Sequence, residues 1–259
     1  MTASFRRAFC LPAAILLVPN LCAAQTTDES THKALNGYLG AGAMFMPQYV
    51  DSAASDTRLL PLAMIEYQET AYIHFDRAGV RLWSADDRKM AFGIAAEPRF
   101  GYHAENGGRL AGMSTRRDAI EGGAAFEWEL PQLSLSAAYF TDWLNTSGGQ
   151  SLRFSMDRQL VDSGPWDLSA YIDLDYANAK IVQYYFGVRA DESTATRPSY
   201  QPGAALISSL GFSGAYKLNK SYALLFGSGL TFLGAAAADS PIVQRSTGLM
   251  GYFGLGLVF

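Results

Sequence analysis

Among the 259 residues, the side chains whose type and spacing could do chemistry are three histidines and several carboxylates placed two apart. His103 is followed by Glu105 and Asn106, so an imidazole has a carboxylate and an amide close behind it. A base oriented by such neighbours is where hydrolytic triads begin. An ordinary polar residue at the end of an element accounts for the same letters, and that is the expected reading. His32 lies in the N-terminal segment, and His74 alternates with Tyr72 and Asp76. Asp173 and Asp175 fall on one face of an extended strand, as do Glu127 and Glu129. Such pairs could hold a divalent cation; pairing with arginines such as Arg99 and Arg153 is the expected use. The glycine-rich "GSGLTFLG" has no helix behind it to offer an N-terminus to a phosphate. The "NTS" at Asn145 is a sequon by letters only. No catalytic residue, metal or cofactor is expected.

The start of the chain sets the compartment. Arg6 and Arg7 precede the apolar run Ala8–Val18, and "LCAAQ" places Cys22 and Ala24 where a signal peptidase needs small residues. The expectation is a signal peptide over 1–24 and one exported domain over 25–259. A lipoprotein signal does not fit, because Leu21 rather than a small residue precedes Cys22. Cleavage would remove both cysteines, Cys10 and Cys22, and with them disulfides, thiol catalysis and Cys-ligated zinc. It would also remove Arg6 and Arg7, making a chain of formal charge −4 still more acidic, which argues against nucleic acid as a partner.

Past residue 24 there is no run of about 18 or more apolar residues, so no helix is expected to span a membrane. The elements that must position the ionisable groups read instead at period two. Met90, Phe92, Ile94, Ala96, Pro98, Phe100 and Tyr102 alternate with Lys89, Ala91, Gly93, Ala95, Glu97, Arg99, Gly101 and His103. About 9–11 tilted residues suffice to cross a bilayer. The same alternation marks 119–130, 133–144, 152–157, 166–175, 206–217, 222–232 and 249–259, with weaker strands near 36–47, 58–67, 70–76 and 79–84. Twelve strands result, an even number. Short and long connections alternate along the chain, with the tight link near 77–78 as the exception. A soluble β-sandwich would also alternate. Here the polar face is rich in Gly, Ala and Ser, which suits the crowded inside of a small closed barrel.

That parity turns Glu97, Glu121, Glu127, Glu129, Asp142, Asp157, Asp167, Asp173 and Asp175 inward, against Lys89, Arg99, Arg153 and Lys217. An excess of carboxylates would favour cations if a water path exists. A twelve-stranded barrel is only a little wider than those filled by side chains, so a narrow or plugged lumen is expected.

Gly42–Tyr67, Arg109–Met113, Tyr184–Val188, Tyr200–Ala204 and Ala237–Val243 together resemble segments of the MipA/OmpV family, the MltA-interacting outer-membrane proteins. Gly42–Tyr67 is similar to its first hairpin, with Pro47 and Tyr49 before a small polar loop and Leu60, Pro61 and Leu62 opening the next strand. "YVDSAAS" departs from it, lacking the family's glycine after the tyrosine. "RLAGM" (Arg109–Met113), "YYFGV" (Tyr184–Val188), "YQPGA" (Tyr200–Ala204) and "AADSPIV" (Ala237–Val243) resemble the loops that follow. The resemblance implies a twelve-stranded barrel in the outer membrane of a Gram-negative cell, without catalysis. It implies a scaffold linking a lytic transglycosylase to a penicillin-binding protein. A narrow cation-preferring channel is the alternative, and an outer-membrane hydrolase a distant third. Partners are then membrane lipid, the two murein enzymes and the barrel assembly machinery.

The chain ends on "GYFGLGLVF", with Phe253, Leu255, Leu257 and Phe259 on one face. This resembles the C-terminal strand that the assembly machinery reads, with both termini periplasmic. Deleting Phe259 should lower the folded fraction in the outer membrane, measured by heat-modifiable gel migration; unchanged insertion would count against an address there.

Overall fold

An alternating strand buried in lipid must give its backbone to neighbours and its apolar side chains to the bilayer, and a sheet closed on itself meets both demands. The computed structural model describes residues 35–45, 57–85, 89–104 and 108–259. Within them, twelve antiparallel strands close in sequence order. They are β1 (Leu35–Phe45), β2 (Thr57–Tyr67), β3 (Ala71–His74), β4 (Arg77–Ser84), β5 (Met90–Arg99) and β6 (Ala119–Leu130), then β7 (Leu133–Asp142), β8 (Gln150–Ser163), β9 (Trp166–Ala177), β10 (Ala205–Lys217), β11 (Tyr222–Leu233) and β12 (Thr247–Val258). The signal segment 1–24 with its cysteines, His32, Pro47, Tyr49, Glu105 and Asn106 lie outside the described residues.

The seam is made by β1 and β12, from Tyr38 opposite Val258 to Phe45 opposite Gly251. Beyond it, Gly37 and Phe259 exchange both N–H···O bonds at 3.2 Å, so the last residue belongs to the ladder. Phe253, Leu255 and Leu257 point outward and are exposed, as are Phe92 and Ile94 on β5 and Leu206, Leu210 and Phe212 on β10. Near the short turns, Trp166 packs on Tyr216 at 4.5 Å and on Phe226 at 6.3 Å between ring centres, part of an aromatic girdle. Among the described residues, no helix is long and apolar enough to cross a membrane.

Tight turns follow from residues that accept a left-handed backbone. Gln132 (φ 62°) turns β6 into β7, and Gly164 (φ 58°) turns β8 into β9. Inside, small residues make room for large ones. A Cβ on Gly229 would lie 2.1 Å from the Tyr171 hydroxyl, so β11 must be bare where that ring crosses the lumen.

The structure moves two sequence expectations and gives the long connection after β9 its form. The link near 77–78 is a turn at Phe75–Asp76 instead, with Phe75 at φ 49°, and β3 has only four residues. Strand β5 stops at Arg99, because Tyr102 leaves the β5 ladder for an isolated bridge to Arg116. The connection after β9 carries a helix, α1 (Ala179–Phe186), capped by Asn178, whose Oδ1 accepts from the Ile181 N–H at 3.2 Å.

Candidate functional site

The ionisable groups of the wall meet inside the barrel in two networks. In the first, Arg81 of β4 donates to Glu66 of β2 at 2.9 Å and to Glu127 of β6 at 2.6 Å. Its guanidinium lies 4.6 Å from the centre of the Tyr72 ring, and His74 approaches Glu66 at 2.8 Å. In the second, Arg99 donates to both oxygens of Glu121 (2.6 and 2.9 Å) and reaches across to Asp175 of β9 at 2.7 Å. Arg153 of β8 donates to Glu121 at 2.7 Å and pairs with Glu97, which also holds Arg77. Glu121 is 1% exposed and Glu97 5%. Burying charges this deeply costs several kcal/mol each unless an opposite charge stands beside them, which the arginines supply.

Eight of the inward candidates named from sequence enter these networks or a local bond: Glu97, Arg99, Glu121, Arg153 and Asp175 in the second, Glu127 in the first, Glu129 through the Ser134 hydroxyl, and Asp173 through that of Ser155. Asp157 faces the lumen without entering either network's ion pairs among the described residues. Asp142 caps the turn after β7, accepting from the N–H groups of Leu144 (3.1 Å) and Gly148 (3.0 Å). Lys217 stands at the end of β10 by the turn, its N–H donating to the Pro165 carbonyl at 2.8 Å. His103 is exposed beyond β5, and its two sequence neighbours Glu105 and Asn106 fall outside the described residues. Arg77 and Arg81 were not legible as lumenal from sequence. They sit on a hairpin too short to show a period, and the displaced turn hid the parity of Arg77.

A roof of loops covers the end of the barrel that carries the long connections. Ile181, Val182 and Tyr185 of α1 pack with Leu110, Met113, Val188, Ala237, Ile242 and Val243. Arg116, 4% exposed, is its staple: it donates to Glu192 at 2.7 and 2.9 Å and to the Tyr184 carbonyl at 2.7 Å. Arg197 donates to the carbonyls of Glu192 (2.6 Å) and Ala111 (2.9 Å) and to that of Arg109. Tyr200 donates to the Ala236 carbonyl at 3.0 Å, and Arg109 to that of Pro241 at 3.1 Å. The four loop segments that carry the family resemblance thus meet in one place. Burial pushes Glu192 up, but the Arg116 guanidinium, the Ser114 and Arg189 N–H groups and the Arg189 side chain outweigh it and hold its carboxyl well below the usual range.

A closed twelve-stranded barrel with a lipid-facing apolar surface and a charged interior is an outer-membrane β-barrel protein. The profile of the family described as MltA-interacting protein MipA matches residues 39–259, and the chain belongs to that family. It is 29% identical over 145 residues to the outer membrane protein Omp26La of Vibrio anguillarum and 28% identical over 145 residues to the outer membrane protein OmpV of Vibrio cholerae. Each match covers 56% of this chain and 56% of the relative, so the chain spans about half the length of the curated relatives it matches. Among solved structures, Salmonella typhi OmpF in complex with daunomycin aligns over 87% of this chain and 96% of its own, at 9% identity and a TM-score of 0.31, too slight a likeness to carry detail.

Two outcomes are expected. Glu121→Ala leaves Arg77, Arg99 and Arg153 facing only Glu97 and Asp175, one buried positive charge in excess, and should destabilise the barrel by about 3–5 kcal/mol, read from urea unfolding in detergent micelles. Because Glu192 has its acidity raised by folding, its stabilisation is present above the ordinary carboxylate range, about 4.3, and is lost as pH falls through the depressed value. Protease cutting within 178–204 should therefore increase on acidification in the wild type and show less pH dependence in Glu192→Gln.

Proposed function

We propose that this outer-membrane barrel serves as a non-enzymatic scaffold for murein-remodelling enzymes, a lytic transglycosylase and a penicillin-binding protein. The observation that carries the reading is the cross-linked lumen. Glu97, Glu121, Glu127 and Asp175, the carboxylates that could have done acid–base work, are engaged by Arg77, Arg81, Arg99 and Arg153. The family's own description, an MltA-interacting protein, agrees with a role in which surfaces rather than a pocket do the work.

A second reading, a narrow cation-preferring channel, draws on Asp157 and Asp173, which add carboxylates to the lumen outside the arginine networks. The roof held by Arg116 and Arg197 weighs against it, since ions would have to pass beneath a packed apolar cluster.

The two separate cleanly. Column-immobilised lytic transglycosylase should retain the detergent-solubilised chain, and the chain alone should conduct little in planar bilayers. Loss of retention together with cation-selective conductance would overturn the scaffold in favour of the channel; anion selectivity would dispose of the channel.

A further inference from the structure

The β3–β4 hairpin does not reach the height of the wall. Strand β2 pairs with β3 only over Met64–Tyr67, and β5 pairs with β4 only over Ala91–Ala96. Above the Phe75–Asp76 turn, on the side of the long loops, Thr57–Leu62 of β2 and Glu97–Arg99 of β5 have no ladder between them among the described residues. The lower end of this opening is closed by the Phe75 N–H, which donates to the Ala63 carbonyl at 2.7 Å. Its upper end is closed by Arg58, which donates to the Gly101 carbonyl and to Asp118, both at 3.4 Å, and lies 4.7 Å from the centre of the Phe100 ring.

An open strand edge in lipid is costly, because unpaired backbone groups find no water there. The chain answers with proline on both sides. The Ala63 carbonyl faces the opening, since Phe75 takes it, so at period two the backbone nitrogen of Pro61 faces the opening as well. On β5 the Met90 carbonyl points to the β4 side, where the Ala85 N–H takes it, and by the same period Pro98 presents its nitrogen to the opening. Each proline therefore removes a donor at the position where one would be orphaned.

This decides what the opening can take. A strand added to either edge would meet a pyrrolidine ring where it needs a donor. An acyl chain needs neither donor nor acceptor. The outward rim is apolar, with Leu59 85% exposed beside Pro61. Behind the opening, on the β2 side, Leu62 is 2% exposed in an apolar cluster with Leu225, Phe75 and Tyr252, whereas the β5 side carries the paired charges of Glu97 and Arg99. We propose that the gap between β2 and β5 is a lateral slot that binds one acyl chain of a membrane lipid from the leaflet on the long-loop side, its tail directed at the Leu62 cluster.

The full chain, refolded into phosphatidylcholine vesicles, tests this with a photoreactive probe. Leu62→p-benzoylphenylalanine should yield a lipid adduct on irradiation, on the order of tenfold more than Phe140→p-benzoylphenylalanine, which is also inward but lies behind unbroken ladders. Equal or absent lipid adducts at Leu62 would overturn the slot, and so would an adduct to a second polypeptide in its place. Heat-modifiable migration verifies folding of each variant. Should Leu62→p-benzoylphenylalanine not fold, the same substitution at Leu60, the next inward position on the unpaired stretch, gives the same readout.

Discussion

A bilayer offers no water to backbone N–H and C=O groups, and most of this structure is the consequence of having to pair them within one chain. Closure of β1 on β12 removes the sheet's two ends, and the Gly37–Phe259 exchange carries the seam to the last residue. Once the wall is closed, the pleat assigns every side chain to lipid or lumen. Leu255 and Leu257 go out because Gly254 and Gly256 go in, and the reverse register would place leucines in a lumen that has no room for them.

Inside, the constraint changes from backbone pairing to charge compensation. A narrow lumen brings β4, β5, β6, β8 and β9 close enough for one guanidinium to serve carboxylates from two strands, as Arg99 does with Glu121 and Asp175. Losing one partner exposes the others to a cost larger than a single surface pair would carry, since desolvation has already been imposed on all of them. The roof obeys the same rule on a different backbone. There Arg116 and Arg197 collect carbonyls that have no ladder to join, which is how irregular loops remain packed over the mouth. The short β3–β4 hairpin is the place where backbone pairing is left incomplete, and the two prolines beside it reduce what is unpaired.

Most of the wall could be read directly because alternation over ten or more residues is seldom produced by anything but a strand: β5, β6, β9, β11 and β12 are visible in the letters. The four-residue β3 shows only as a weak strand near 70–76, and the turn that ends it does not show, since it carries no glycine or proline to mark it. Arg77 and Arg81 were missed with it, although they complete both lumenal networks. The pairing of Arg116 with Glu192 had no sequence signal at all, as 76 residues separate them.

Parity, composition and turn chemistry by themselves determined that the chain is a closed antiparallel barrel and which residues of its longer strands face inward, because the side-chain period of a strand is a local property. Which inward carboxylate meets which arginine, where the roof is stapled, and where the wall is left open were decided only by the tertiary structure. Those depend on strand tilt and register around the closed barrel, and these bring together residues that no local pattern connects.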